Sequence, residues 1–142
     1  MHSLLKLKII TPQKVVLEEE VLAVTAPSHS GEITVLPHHT NLFTLLDEGI
    51  VKIKKEGDED YLAIGGGYLE TNGENINILV SRAYGQDEID EKLVEEAAIK
   101  ARSILKDSKD AVERQQANAV IRRSLIDSRL IKKRKGRNLL FI

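Results

Sequence analysis

The hydrophobic period of this chain changes once, near Gly85, and that change limits what it can fold into. Up to about Arg82 the period is two. Leu5, Leu7 and Ile9 alternate with Lys6 and Lys8, and Val51 and Ile53 alternate with Lys52 and Lys54. Val21, Ala23 and Thr25 interleave with Leu22, Val24 and Ala26, and Ile76, Ile78 and Val80 follow the same rule with Asn75 and Asn77. Alternation of this kind marks strands with one buried face. Thr11-Pro12, Ser28-His29-Ser30-Gly31, Glu56-Gly57-Asp58 and Asn72-Gly73 punctuate them as turns. The Asn72-Gly73 pair predicts a tight hairpin turn with both central residues at positive φ. Many short strands at close spacing predict an antiparallel sandwich or barrel.

Beyond Gly85 the period lengthens. Asp87, Glu88 and Asp90 precede a helical stretch, where acids cap free N–H groups and oppose the helix dipole. Ile89, Leu93, Ala97, Ala101, Ile104 and Leu105 then fall on one predicted helix face. Asp107-Ser108 breaks that helix and caps a second. Its predicted inner side carries Ala117, Val120, Ile121, Ser124, Leu125 and Ser128. The short link makes the helices antiparallel neighbours. Small residues at the contact predict a weakly held hairpin, because each buries little apolar area. The expected class is α+β, mainly β. Residues 1–85 form an N-terminal antiparallel β-sandwich, and residues 86–142 a C-terminal antiparallel two-helix hairpin.

Charge divides the chain along the same line. From Lys109 onward ten basic residues face three acidic ones, a balance of +7, and the remainder carries −8. The cluster Arg122, Arg123, Arg129, Lys132, Lys133 and Arg134 suits an acidic partner surface. Read from residues alone, that partner stays open between protein, nucleic acid, anionic lipid and plain solvent. The chain has no cysteine, which excludes disulfides, thiolate metal sites and cysteine nucleophiles. No apolar run approaches the roughly 20 residues of a membrane helix, and the first ten residues lack the continuous apolar stretch of a secretory signal. The expectation is a chain exposed to the cytosol.

The candidate chemistry is sparse. Gly65-Gly66-Gly67 is followed by Tyr68-Leu69-Glu70-Thr71, which reads as a strand. A phosphate loop needs a helix there, so the glycines read as a bulge or close backbone contact. His38 and His39 are adjacent, point to opposite sides of an extended chain, and have no cysteine to join them in a metal site. No serine sits in a nucleophile elbow. These residues argue for a binding protein, not an enzyme.

The order of parts resembles a known family. Gly31-Glu32-Ile33-Thr34-Val35-Leu36-Pro37-His38-His39 is similar to the signature loop and strand of the epsilon subunit of F-type ATP synthases. There a Gly-Glu pair precedes an apolar strand and a Pro-Gly-His element. Tyr61 to Glu70 resembles the family's Gly-Gly hairpin, and Asn75 to Arg82 its following strand. Thr34 stands where the family often has glycine, and His38 replaces the glycine before His39. The resemblance implies a non-catalytic central-stalk subunit that couples gamma to the c-ring and contacts alpha and beta, at the cytoplasmic membrane face of a bacterial-type enzyme. It implies no nucleic-acid partner. By position, Ser30, Gly31, Glu32 and His39 would meet gamma and the c-ring. The helices would act as a brake: docked on the sandwich they leave rotation free, and extended along gamma they bring Arg122, Arg123, Arg129, Lys132, Lys133 and Arg134 to acids of beta. Some members bind ATP through Ile/Leu-Asp-x-x-Arg-Ala. Here Ile89-Asp90 matches but Leu93 and Val94 replace the Arg-Ala, so no cofactor and no tight ATP binding are expected.

Overall fold

A computed structural model describes residues 3–140, with side chains described for residues 3–133. The chain divides into two compact units, Met1–Gly85 and Gln86–Ile142.

In the first unit ten strands follow one another: β1 (Leu5–Ile10), β2 (Val15–Val21), β3 (Ala23–Ser28), β4 (Gly31–Val35), β5 (Leu42–Leu46), β6 (Gly49–Lys55), β7 (Asp58–Ile64), β8 (Gly67–Thr71), β9 (Asn75–Val80) and β10 (Ala83–Tyr84). Their hydrogen-bonded order is β10-β7-β6-β3-β5-β8-β9-β1-β2, with β4 attached to β3. The alternating residues do what their period requires. Leu5, Leu7 and Ile9 are buried, as are Val51 and Ile53, and Ile76, Ile78 and Val80, while the lysines between them reach solvent. With Val21, Val24, Leu46, Ile64 and Leu69 they form one aliphatic core.

One pairing departs from the antiparallel expectation: β1 lies parallel to β9, with Leu7 opposite Ile76 and Ile9 opposite Ile78. The long stretch between these strands allows it, since a parallel pair needs no hairpin. The register keeps both apolar sets on the same face.

The glycine triplet is a place of close backbone approach. A Cβ on Gly67 would stand 2.0 Å from the Leu79 carbonyl oxygen and 2.7 Å from the Val80 Cα. One on Gly65 would meet the Ser81 hydroxyl at 2.1 Å. The Asn72-Gly73 turn differs from the expected form. Gly73 has positive φ (91°), but Asn72 does not. The Asn72 side-chain oxygen instead accepts from the N–H groups of Glu74 (3.0 Å) and Asn75 (2.8 Å), which shapes a longer loop without left-handed geometry at Asn72. His38 is the other surprise. It holds φ at 65°, the left-handed conformation that a glycine there adopts without strain. Its N–H donates to the Gly73 carbonyl at 2.9 Å and its Nε2 meets Ser3 Oγ at 3.0 Å, so two contacts hold it there.

The sandwich is also stapled across its strands. Lys55 Nζ on β6 lies 2.5 Å from Asp60 on β7 and 3.4 Å from Glu19 on β2. The hydrogen bond to Asp60, reinforced by both carboxylate charges, keeps the ammonium protonated above its ordinary value of 10.5 against the cost of partial burial.

The second unit opens with a 3₁₀ turn, Gln86–Glu88, followed by α1 (Glu91–Asp107) and α2 (Ala111–Leu140). Asp90 caps α1, accepting from the N–H groups of Lys92 (3.0 Å) and Leu93 (3.2 Å). The inner face of α1 is rotated from the expected one. Ala98 and Ala101 are buried and Val94 is half-buried, whereas Leu93 is exposed. On α2, Ala117, Ile126, Asp127 and Leu130 are buried and Ile121 and Ser124 are half-buried, but Val120, Leu125 and Ser128, expected on the inner side, are exposed. Neighbouring apolar residues (Leu93 beside Val94, Ala97 beside Ala98, Leu125 beside Ile126) offered two stripes of the same period, and packing covered the second of each pair.

Two outcomes follow from the sandwich. Gly67→Ala should destabilise it by about 2–4 kcal/mol in denaturant unfolding, because the new Cβ collides with backbone that belongs to the β8–β9 ladder. Gly66→Ala, whose Cβ would meet its nearest atom at an ordinary 3.6 Å, should cost less than about 1 kcal/mol. The Lys55 staple sets a second outcome. Its folded pKa lies above the unfolded value, so its contribution is complete below pH 10.5 and fades as pH rises further. Lys55→Met should therefore be less stable than the parent by about 1 kcal/mol or less up to that pH, and the gap should narrow above it.

Candidate functional site

The turn that carries Ser30, Gly31 and Glu32 joins β3 to β4, and it is braced from below. The buried Ser28 hydroxyl donates to the Gly31 carbonyl and accepts from the Ser30 N–H at 3.3 Å. Gly31 has φ of 117° with nothing within 4 Å of a would-be Cβ, so it is needed for its backbone angle and not for space. The start of the next connection locks the turn in place: Asp47 N–H donates to the Pro27 carbonyl at 2.9 Å, and His29 N–H donates to the Leu45 carbonyl at 3.1 Å. His29 Nδ1 meets Asp47 Oδ1 at 2.6 Å. Glu32, paired opposite Pro27 on the ladder, projects from this braced tip into solvent.

His39 is not part of that cluster. It leaves from the far end of β4, a strand about 15 Å long, and its carbonyl lies against Gly73, where a Cβ would come within 2.6 Å. The four residues expected to act together therefore sit at opposite ends of the sandwich, three at one tip and His39 at the other.

The structure also shows a surface that the sequence reading passed over. β5 reads Leu42-Phe43-Thr44-Leu45-Leu46, and only one of its faces is covered. Leu46 is buried, but Phe43 is 61% exposed and Leu45 52% exposed. Leu45 lies opposite Tyr68 on β8, and the rings of Phe43 and Tyr68 pack with centroids 5.1 Å apart at 31°. An antiparallel strand with one solvated face shows polar residues on it, as β1 does with Lys6 and Lys8. β5 breaks this rule. An apolar outer face on an exposed strand is the mark of a surface that another molecule covers.

On α2 the helical period, about 100° per residue, sorts the basic residues. Arg122, Arg129 and Lys133, at spacings of seven and four, form one stripe. Arg123 and Lys132 flank it on either side. All five side chains are exposed. The stripe lies well around the helix from Ala117 and Ser124. The Arg134 side chain lies outside the described residues. At the start of α1, Asp90 is engaged as a cap, and Leu93 offers an exposed alkyl chain where an arginine would offer donors. Among the described residues no group of three His, Asp or Glu side chains gathers as a metal site would require, and no helix is long and apolar enough to cross a membrane.

Comparison with known proteins follows the same two-part plan. The family model described as the ATP synthase delta/epsilon chain beta-sandwich domain matches residues 4–86. The ATP synthase epsilon chain of Herpetosiphon aurantiacus is 35% identical over 133 residues, covering 94% of this chain and 98% of the relative. That of Carboxydothermus hydrogenoformans is 39% identical over 105 residues, covering 74% and 78%. Among solved structures, a chain of the Euglena gracilis mitochondrial ATP synthase aligns with a TM-score of 0.69 at 24% identity, covering 96% of this chain and 82% of that one. A chain from the central stalk and c-ring of the Tetrahymena thermophila mitochondrial ATP synthase gives 0.54 at 16% identity, covering 91% and 94%. At those identities the structures share the fold.

Proposed function

This chain belongs to the ATP synthase delta/epsilon family, and from that premise we propose that it works as the non-catalytic epsilon-type subunit of the central stalk, linking gamma to the c-ring. The observation that carries this reading is the uncovered apolar face of β5 and β8. Phe43, Leu45 and Tyr68 form an aromatic and aliphatic patch in the middle of a rigid sheet. Interfaces draw most of their energy from such desolvated anchors. The occupant we assign is the gamma subunit, with Glu32 on the braced β3–β4 tip directed to the polar loops of the c-ring. The tip supports that role because its backbone is fixed before any partner arrives, so little ordering entropy is lost on binding. His39, at the opposite end, serves the gamma contact in this arrangement and not the c-ring one.

The helical unit acts as the brake on ATP hydrolysis. The stripe of Arg122, Arg129 and Lys133, flanked by Arg123 and Lys132 and continued in sequence by Arg134, meets acidic residues of beta. Charge pairs of this kind steer association and fix register as much as they add affinity. Alpha and beta are thus partners through the helices, and the complex sits on the cytoplasmic face of a bacterial-type membrane. Tight ATP binding is not part of the reading: the exposed Leu93 cannot donate to a phosphate.

The test is direct binding of the full chain to purified gamma subunit. Phe43→Asp should weaken binding at least about 30-fold, the range of a hot-spot loss of 2 kcal/mol or more. Its unfolding midpoint should stay close to the parent's, because the side chain is largely exposed. Unchanged affinity would overturn the assignment of this face to gamma.

A further inference from the structure

The link between the two helices is crossed by a set of polar contacts. Arg114, on the first turns of α2, sends its guanidinium back across the connection. Its Nη1 donates to the carbonyl of Leu105 at 2.5 Å and to that of Ser108 at 3.0 Å. These belong to the last turn and C-cap of α1, where carbonyls have no partner within their own helix. The cation also sits at the negative end of the α1 dipole. The rest of the connection is engaged as well. Ser108 Oγ donates to Glu113 Oε2 at 3.0 Å and accepts from the Asp110 N–H at 3.2 Å. Asp110 Oδ1 caps α2 by accepting from the Val112 N–H at 2.9 Å.

The difference between these contacts lies in which of them need the chain to turn back. The Ser108 and Asp110 bonds span two to five residues and form in any local turn or helix start. Arg114 reaches nine residues back to Leu105. In a continuous helix those two positions lie about 13 Å apart along the axis and half a turn around it. The Arg114 bond to Leu105 therefore exists only when α2 folds back along α1. The residues buried nearest the connection, Ala98, Ala101 and Ala117, each cover little apolar area, while the larger buried side chains Ile126 and Leu130 lie further along α2. At the turn itself Arg114 is the side chain that ties one helix to the other.

We propose that Arg114 is a positioning residue that latches the helical hairpin in its folded-back form, so that loss of its two carbonyl bonds raises the population of opened helices. The consequence for ATP hydrolysis rests on the brake reading given above; the latch itself does not.

The absence of cysteine makes the test simple. Spin labels placed on Glu96→Cys and Asn118→Cys, both exposed positions on facing helices, report the interhelical distance in the full chain. Arg114→Ala should raise the ratio of opened to folded-back hairpin about tenfold, which is 1.4 kcal/mol. Arg114→Lys, with one charged group in place of the fork, should recover part of it. The sandwich should unfold at the same denaturant concentration in all three chains. An unchanged distance distribution in Arg114→Ala would overturn the latch. In the assembled enzyme, Arg114→Ala should slow ATP hydrolysis by at least twofold, and removing residues after Asp107 should release it. If the distances widen but neither variant changes hydrolysis, the latch stands and the brake reading falls.

Discussion

Everything in the N-terminal unit depends on the aliphatic core that the alternating strands build, and on the closeness with which β8 and β9 approach to seal it. Leu69 on β8 and Ile78 on β9 are opposite each other and fully buried. That pairing is possible only because Gly67 places bare backbone against Leu79 and Val80. A core of this kind has no large aromatic to fill gaps and relies on many well-fitted aliphatic contacts. It is also what makes the outer surface useful. A sheet held stiffly from inside can present Phe43, Leu45 and Tyr68 in fixed positions, and a tip tied to it by the Pro27 and Leu45 carbonyls can hold Glu32 in one place.

The two units divide the physical work. The sandwich is stabilised by burial and by the Lys55 staple. The helical unit buries few side chains, the small Ala98, Ala101 and Ala117 with Ile126 and Leu130 further along α2, and is organised by polar contacts at the turn. Polar contacts can be exchanged for contacts with a partner at little net cost. Apolar burial on the scale of the sandwich core cannot. The proposed role, in which one partner is held and another released, uses both kinds of cohesion, and the change of period at Gly85 separates them along the chain.

Much of this was legible in the sequence. Period two and period 3.6 are strong signals, and the burial of Leu5, Leu7, Ile9, Ile76 and Ile78 follows from alternation alone. Three things were not. The parallel register of β1 against β9 depends on sheet order, which no local pattern encodes. The rotated inner face of α1 arose because Leu93 and Val94 each fit a helical stripe, and only packing against α2 chooses between them. The Phe43 and Leu45 surface did have a signal: four apolar residues in a five-residue strand cannot all face one core. That run looks like ordinary hydrophobic content until the neighbouring strands show that one side is uncovered. Separation of His39 from Glu32 is of the same kind, since positions seven apart in sequence are close on paper and reach opposite ends of the sandwich when the stretch begins with four strand residues.

Every partner assignment depends on this chain being a subunit of a rotary ATP synthase. The most direct test is recovery of the tagged full chain from its own cells under mild conditions, with the bound proteins identified by mass. The account predicts gamma together with alpha, beta and c subunits. Recovery of nucleic acid or unrelated proteins, with no synthase subunit present, would contradict it and leave the basic stripe on α2 as a polyanion-binding arm.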